Sequence, residues 1–139
     1  MKKNVNLITV IAIFAVATII TVFRGGGAVL LDFDEDSFSI SGIEDFSYSV
    51  NYGDIDTVEL LAPADLGTAV DRAESGPYSY GVWHSDAWGD YTLCVTSRAD
   101  NFIIITEING HVTVFNYQNT SSTELVFQDF QRLLAEYRG

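Results

Sequence analysis

The sequence predicts a mainly β domain covered by one C-terminal α-helix and preceded by a single transmembrane helix. Three observations carry this expectation. Residues 5–23 are uncharged and largely aliphatic, the stretch that follows alternates apolar and polar residues between turn signals, and the C-terminal stretch switches to a helical period. An antiparallel sheet with one apolar face needs a cover, so the expected architecture is a curled barrel over residues 28–139 closed by a helix over 121–138.

The membrane segment is read first. At 1.5 Å per residue, residues 5–23 span about 28 Å as a helix, close to a hydrocarbon thickness of about 30 Å. In such a helix Thr9, Thr18 and Thr21 can return their hydroxyls to helix carbonyls, so lipid tolerates them. Lys2 and Lys3 precede the segment and only Arg24 follows it, which places residues 1–4 in the cytoplasm and the domain on the far side of the cell membrane. Ala15-Val16-Ala17 resembles a signal-peptidase site, but cleavage there would leave an apolar stub, so an uncleaved anchor is expected. Residues 24–27, with Gly25-Gly26-Gly27, form the linker.

Alternating segments then follow at 28–34, 38–41, 46–52, 54–61, 67–73, 91–98, 102–107 and 111–117. In 46–52, Phe46, Tyr48, Val50 and Tyr52 share one face. Glu35-Asp36-Ser37 and Asn109-Gly110 are hairpin turns, the second carrying the strongest short hairpin signal. Residues 77–89, rich in Gly, Tyr and Trp, read as a long loop or irregular hairpin arm. At the C-terminus Val126, Phe127, Phe130, Leu133, Leu134 and Tyr137 recur at three and four, and Ser121 with Glu124 reads as a capping box.

Charge narrows the partners. The chain has 19 acidic residues against 7 Lys+Arg, a net charge of −12. Lys2, Lys3 and Arg24 flank the membrane segment, so Arg72, Arg98, Arg132 and Arg138 face every acidic residue of the domain. Such a surface repels nucleic acid and anionic lipid. The lone cysteine, Cys94, forms no internal disulfide and reads as a small buried residue.

The order of segments resembles that of bacterial pleckstrin-homology-like (PH-like) domains. It rests on Phe38-Ser-Ile-Ser-Gly42, Asp54-Ile-Asp-Thr-Val-Glu-Leu60, Gly81-Val-Trp83, Gly89-Asp-Tyr-Thr-Leu-Cys-Val95 and Phe102-Ile-Ile-Ile-Thr106, followed by the terminal helix. The resemblance implies a curled antiparallel barrel with a C-terminal helix, often attached to membrane segments. Phosphoinositide-binding relatives place Lys and Arg between their first two strands. Here Asp32, Asp34, Glu35 and Asp36 occupy that place, which argues against phosphoinositides.

Catalytic and metal motifs are weak. The Asp32–Asp36 run lacks a glycine at the sixth position of a calcium loop, where Ser37 stands, and has Ile43 where the bidentate Glu belongs, so it reads as a solvated turn. His84 and His111 have no ligand-like spacing. No nucleophile elbow, P-loop or dinucleotide fingerprint occurs, and no cofactor is expected. Tyr78, Tyr80, Trp83, His84 and Trp88 form the candidate contact surface, because amphipathic rings supply contact area at low entropy cost; the alternative is that Trp83 and Trp88 plug the barrel end. The expectation is therefore a non-enzymatic module that binds a protein partner or itself through sheet edges or this aromatic segment. The alternative is an extracytoplasmic small-ligand-binding protein or hydrolase with its pocket at the same segment.

Overall fold

The computed structural model describes residues 29–62 and 65–139. The anchor expected at 5–23 and the linker at 24–27 lie outside them, and among the described residues no helix is long and apolar enough to cross a membrane. The chain divides into two compact units. One joins the segment ending at Gly53 to Asp129–Gly139, and the other is Asp54–Gln128. The described residues are mainly β, with two sheets, one C-terminal helix and no closed barrel among them.

In the first unit, β1 (Leu30–Phe33), β2 (Ser37–Ser41) and β3 (Tyr48–Asn51) form an antiparallel sheet in chain order. The register pairs Leu31 with Ile40 and Phe33 with Phe38, and sets Val50 opposite Phe38. Alternation puts all five on one face, and all five are buried. The helix α1 (Thr120–Arg138) supplies Phe130 to this unit. Its ring lies 5.1 Å edge-on from Phe33 and 4.8 Å from Phe38, with Tyr52 at 6.4 Å. The acidic turn between β1 and β2 closes through Asp34 N–H donating to Ser37 O, and the Tyr52 hydroxyl donates to Asp34 O at 2.8 Å. Burial, then the neighbouring Asp34, raises the pKa of Asp32. No three His, Cys, Asp or Glu side chains among the described residues gather as a metal-ligand set.

A 3-10 turn at Tyr52–Asp54 ends the first sheet. The second unit holds β4 (Ile55–Leu61), β5 (Thr68–Ser75), β6 (Tyr78–Ser85), β7 (Gly89–Thr96), β8 (Phe102–Glu107) and β9 (Val112–Phe115), in the order β4-β8-β9-β7-β6-β5. This corrects the expected single curled barrel. β4 pairs with β8 and not with β3, and β4 and β5 remain as the two edges of an open six-stranded sheet. The purely antiparallel expectation fails at β7 and β9, which pair in parallel because the β8–β9 hairpin inserts with β9 next to β7.

The Asn109-Gly110 turn stands where the sequence puts it. Gly110 takes φ 95°, and Asn109 Oδ1 accepts the His111 N–H at 2.9 Å. Of the two readings of residues 77–89, a long loop or an irregular hairpin arm, the structure has the arm: β6 pairs with β7 from Tyr78 to Ser85 and with β5 from Tyr78 to His84. The helix begins one residue before the expected 121, and its cap is Asn119 rather than a Ser121–Glu124 box. Asn119 Oδ1 accepts the Ser122 N–H at 2.8 Å, so Ser121 already lies inside the helix.

Where β9 ends, the side chain of Asn116 takes over its ladder. Its Oδ1 accepts the Thr96 N–H at 2.7 Å, and its Nδ2 donates to Thr96 O at 3.2 Å. Both residues are buried, so this amide stands in for a missing strand neighbour.

Cys94 is buried on β7, and burial pushes its thiol up to about 12. The unfolded chain therefore releases this proton near pH 9.0 while the folded chain retains it, so stability falls as pH rises from 9 toward about 12. Urea melts across that range should show the fall, and Cys94→Ala should make it shallower. At pH 8 a thiol reagent should leave Cys94 unmodified until denaturant is added.

Candidate functional site

The five aromatic and histidine candidates do not converge. Register places Tyr78, Tyr80 and His84 on one face of β6 and Trp83 on the other. Tyr78 and Tyr80 are buried, whereas His84 is exposed. Trp83 and Trp88 are half-buried and pack, with Leu61, Leu66 and Phe102, on a cluster of Tyr91, Leu93, Val95, Ile104, Val112 and Val114. The tryptophans thus cover the face of an open sheet instead of plugging a barrel end. Trp88 meets Tyr91 edge-on at 5.1 Å. The Trp83 indole N–H is buried without a hydrogen-bond partner.

Of the five, His84 lines a described cleft. It lies at the open end of the β5–β6 hairpin, where Asp65, Gly67, Thr68, Ser85 and Asp86 line with it a cleft of about 420 Å³. The register partners Thr68 and His84 bring these two segments together. Gly67 makes the approach possible: its φ is +80°, and a Cβ there would stand 1.9 Å from His84 O. Asp65 Oδ1 accepts the Gly67 N–H at 2.9 Å, and the Tyr91 hydroxyl donates to Leu66 O at 2.5 Å, fixing the entry to β5. Across the cleft, Ser85 Oγ accepts the Trp88 N–H at 3.1 Å and holds the turn into β7.

The cleft is acidic. Asp65 and Asp86 line it, both exposed, and His84 Nδ1 lies 2.8 Å from Asp90 Oδ1. Burial, then the Asp65 carboxylate, pushes the Tyr91 phenol up to about 12. A positively charged group fits such a cleft, while an anion meets two carboxylates. Sequence reading missed Asp65, Gly67 and Asp86. The one local signal was Asp65-Leu66-Gly67, an Asp whose side chain can bond the backbone two residues on.

Comparison with known proteins finds no family model, no curated protein and no solved structure that matches the chain.

Proposed function

We propose that the chain is a membrane-tethered, non-enzymatic interaction module that binds a protein partner by strand addition to β5. Residues 5–23 hold it in the cell membrane, with residues 1–4 cytoplasmic and the domain extracytoplasmic. One observation carries the reading. β5 is the last strand of the six-stranded sheet, eight residues long, with residues 68–71 exposed. The outer flank of an edge strand offers backbone donors and acceptors to an incoming strand. The register shifts between Ala69 and Asp71, so Val70 has no partner on β6 and stands 58% exposed.

Kinship with bacterial PH-like domains belongs to this proposal. A C-terminal helix packed on an antiparallel sheet through Phe130 supports it, and the parallel β7–β9 pair is a departure from it. The cleft of about 420 Å³ favours a second reading, a small-ligand-binding protein.

Val70→Pro separates the two. A bulge tolerates proline without loss of a register pair, but the ring blocks an added strand. Detergent-extracted full-length protein should capture a specific protein that the Val70→Pro variant fails to capture. Equal capture by both, or a small molecule as the one co-purifying species, would overturn the strand-addition reading.

A further inference from the structure

We infer that the strand received by β5 is a cationic one, an extended peptide segment that lays a Lys or Arg side chain into the cleft at the head of the strand. This rests on the strand-addition reading above and names the chemistry of its partner.

The first reason is position. Thr68 is the first residue of β5 and also a wall of the cleft, together with its register partner His84. A segment paired along β5 therefore arrives at the cleft mouth with its terminal side chain. Main-chain pairing supplies affinity in such complexes and the end pocket supplies selectivity.

The second reason is charge. Asp65 and Asp86 line the cleft and Asp90 stands behind His84. β5 itself carries Asp71 and Glu74 against Arg72. An incoming lysine or arginine gains charge-assisted hydrogen bonds there, and an incoming acidic side chain is repelled. The same charges disfavour a second copy of the chain, since its net charge is −12 and β5 has two acids to one base. The third reason is the bulge. The exposed Val70 offers one apolar contact partway along the edge, so alternate apolar and basic residues suit the incoming strand.

The test titrates fluorescent peptides of alternating Val and Lys, or alternating Val and Glu, onto full-length protein in zwitterionic micelles. The Lys peptide should bind saturably and the Glu peptide should not. Asp65→Asn with Asp86→Asn should weaken the Lys peptide about tenfold, the scale of two partly solvated charge pairs. Asp65→Asn keeps the side-chain oxygen that accepts the Gly67 N–H, so melting should be unchanged and loss of fold is excluded as a cause. Added salt should weaken binding to wild type far more than to the double variant. Equal binding of both peptides, no effect of the two substitutions, or n-butylamine binding as tightly as the Lys peptide would overturn the inference. Absence of Lys-peptide binding, with natural-partner capture still lost in Val70→Pro, would overturn the cationic class and leave strand addition standing. Loss of Val70→Pro sensitivity in both assays would bring down strand addition itself.

Discussion

Phe130→Ala is expected to lower stability by about 3–5 kcal/mol, the sum of lost transfer energy and the cavity left behind. Phe130 is 0% exposed and its ring touches three others, Phe33, Phe38 and Tyr52, each from the unit that contains residues up to Gly53. Strands β1 and β2 bring Phe33 and Phe38 side by side at 4.8 Å, and alanine would leave that pair facing a void. A small protein has only about 5–15 kcal/mol in total, so near-ultraviolet circular dichroism of the full-length variant should report a far lower melting temperature. Gln131 is the matched control: it is exposed, and Gln131→Ala should change stability by less than about 0.5 kcal/mol. Equal melting of the two variants would show that the helix does not hold this sheet.

Asn116→Leu should cost about 2–5 kcal/mol by a different route. Leucine has similar bulk but neither donor nor acceptor, so the Thr96 N–H and C=O would both stay buried and unpaired. Each such group costs about 1–3 kcal/mol. The two bonds, at 2.7 and 3.2 Å, are those that continue the β7 ladder beyond Phe115. Hydrogen exchange offers a local readout: the Thr96 amide should lose its protection before the global melt, whereas the Leu93 amide, deeper in β7, should keep it. A protected Thr96 amide in the variant would mean that another group satisfies it.

Faces were legible in the sequence, and neighbours were not. Alternation in 46–52 marked Val50 and Tyr52, both buried, and Phe46 and Tyr48, both half-buried, because the side-chain period of a strand is local. Of the six residues on the expected helical face, Val126, Phe130, Leu133 and Leu134 are buried, whereas Phe127 is half-buried and Tyr137 is exposed. Which strand pairs with which depends on long-range register, and nothing near β7 announces a parallel partner that lies beyond an intervening strand. β6 reads from sequence as either a loop or a hairpin arm for a related reason. It carries aromatic residues on both faces, Tyr78 and Tyr80 on one and Trp83 on the other, and Gly81 interrupts it at φ 120°. The cleft was hidden most completely. Asp65 and His84 line one cleft because Thr68 and His84 share a register position and because Gly67 has no side chain.

The division of the chain places the two parts of the first unit on either side of the whole second unit in sequence. A ribosome therefore delivers β1, β2 and β3 before the second unit, while Phe130, Leu133 and Leu134 come after all of it. Until residues 129–139 emerge, the face of Leu31, Phe33, Phe38 and Ile40 lacks the ring that completes its core. Closing so long a loop slows folding more than it destabilises the product, because closure entropy grows only with the logarithm of length. Apolar strands left open during synthesis are prone to stray pairing. A nascent chain stalled before residue 129 should thus hold its first sheet as a client for chaperones, and emergence of the segment from Asp129 to Gly139 is the step that sets it free.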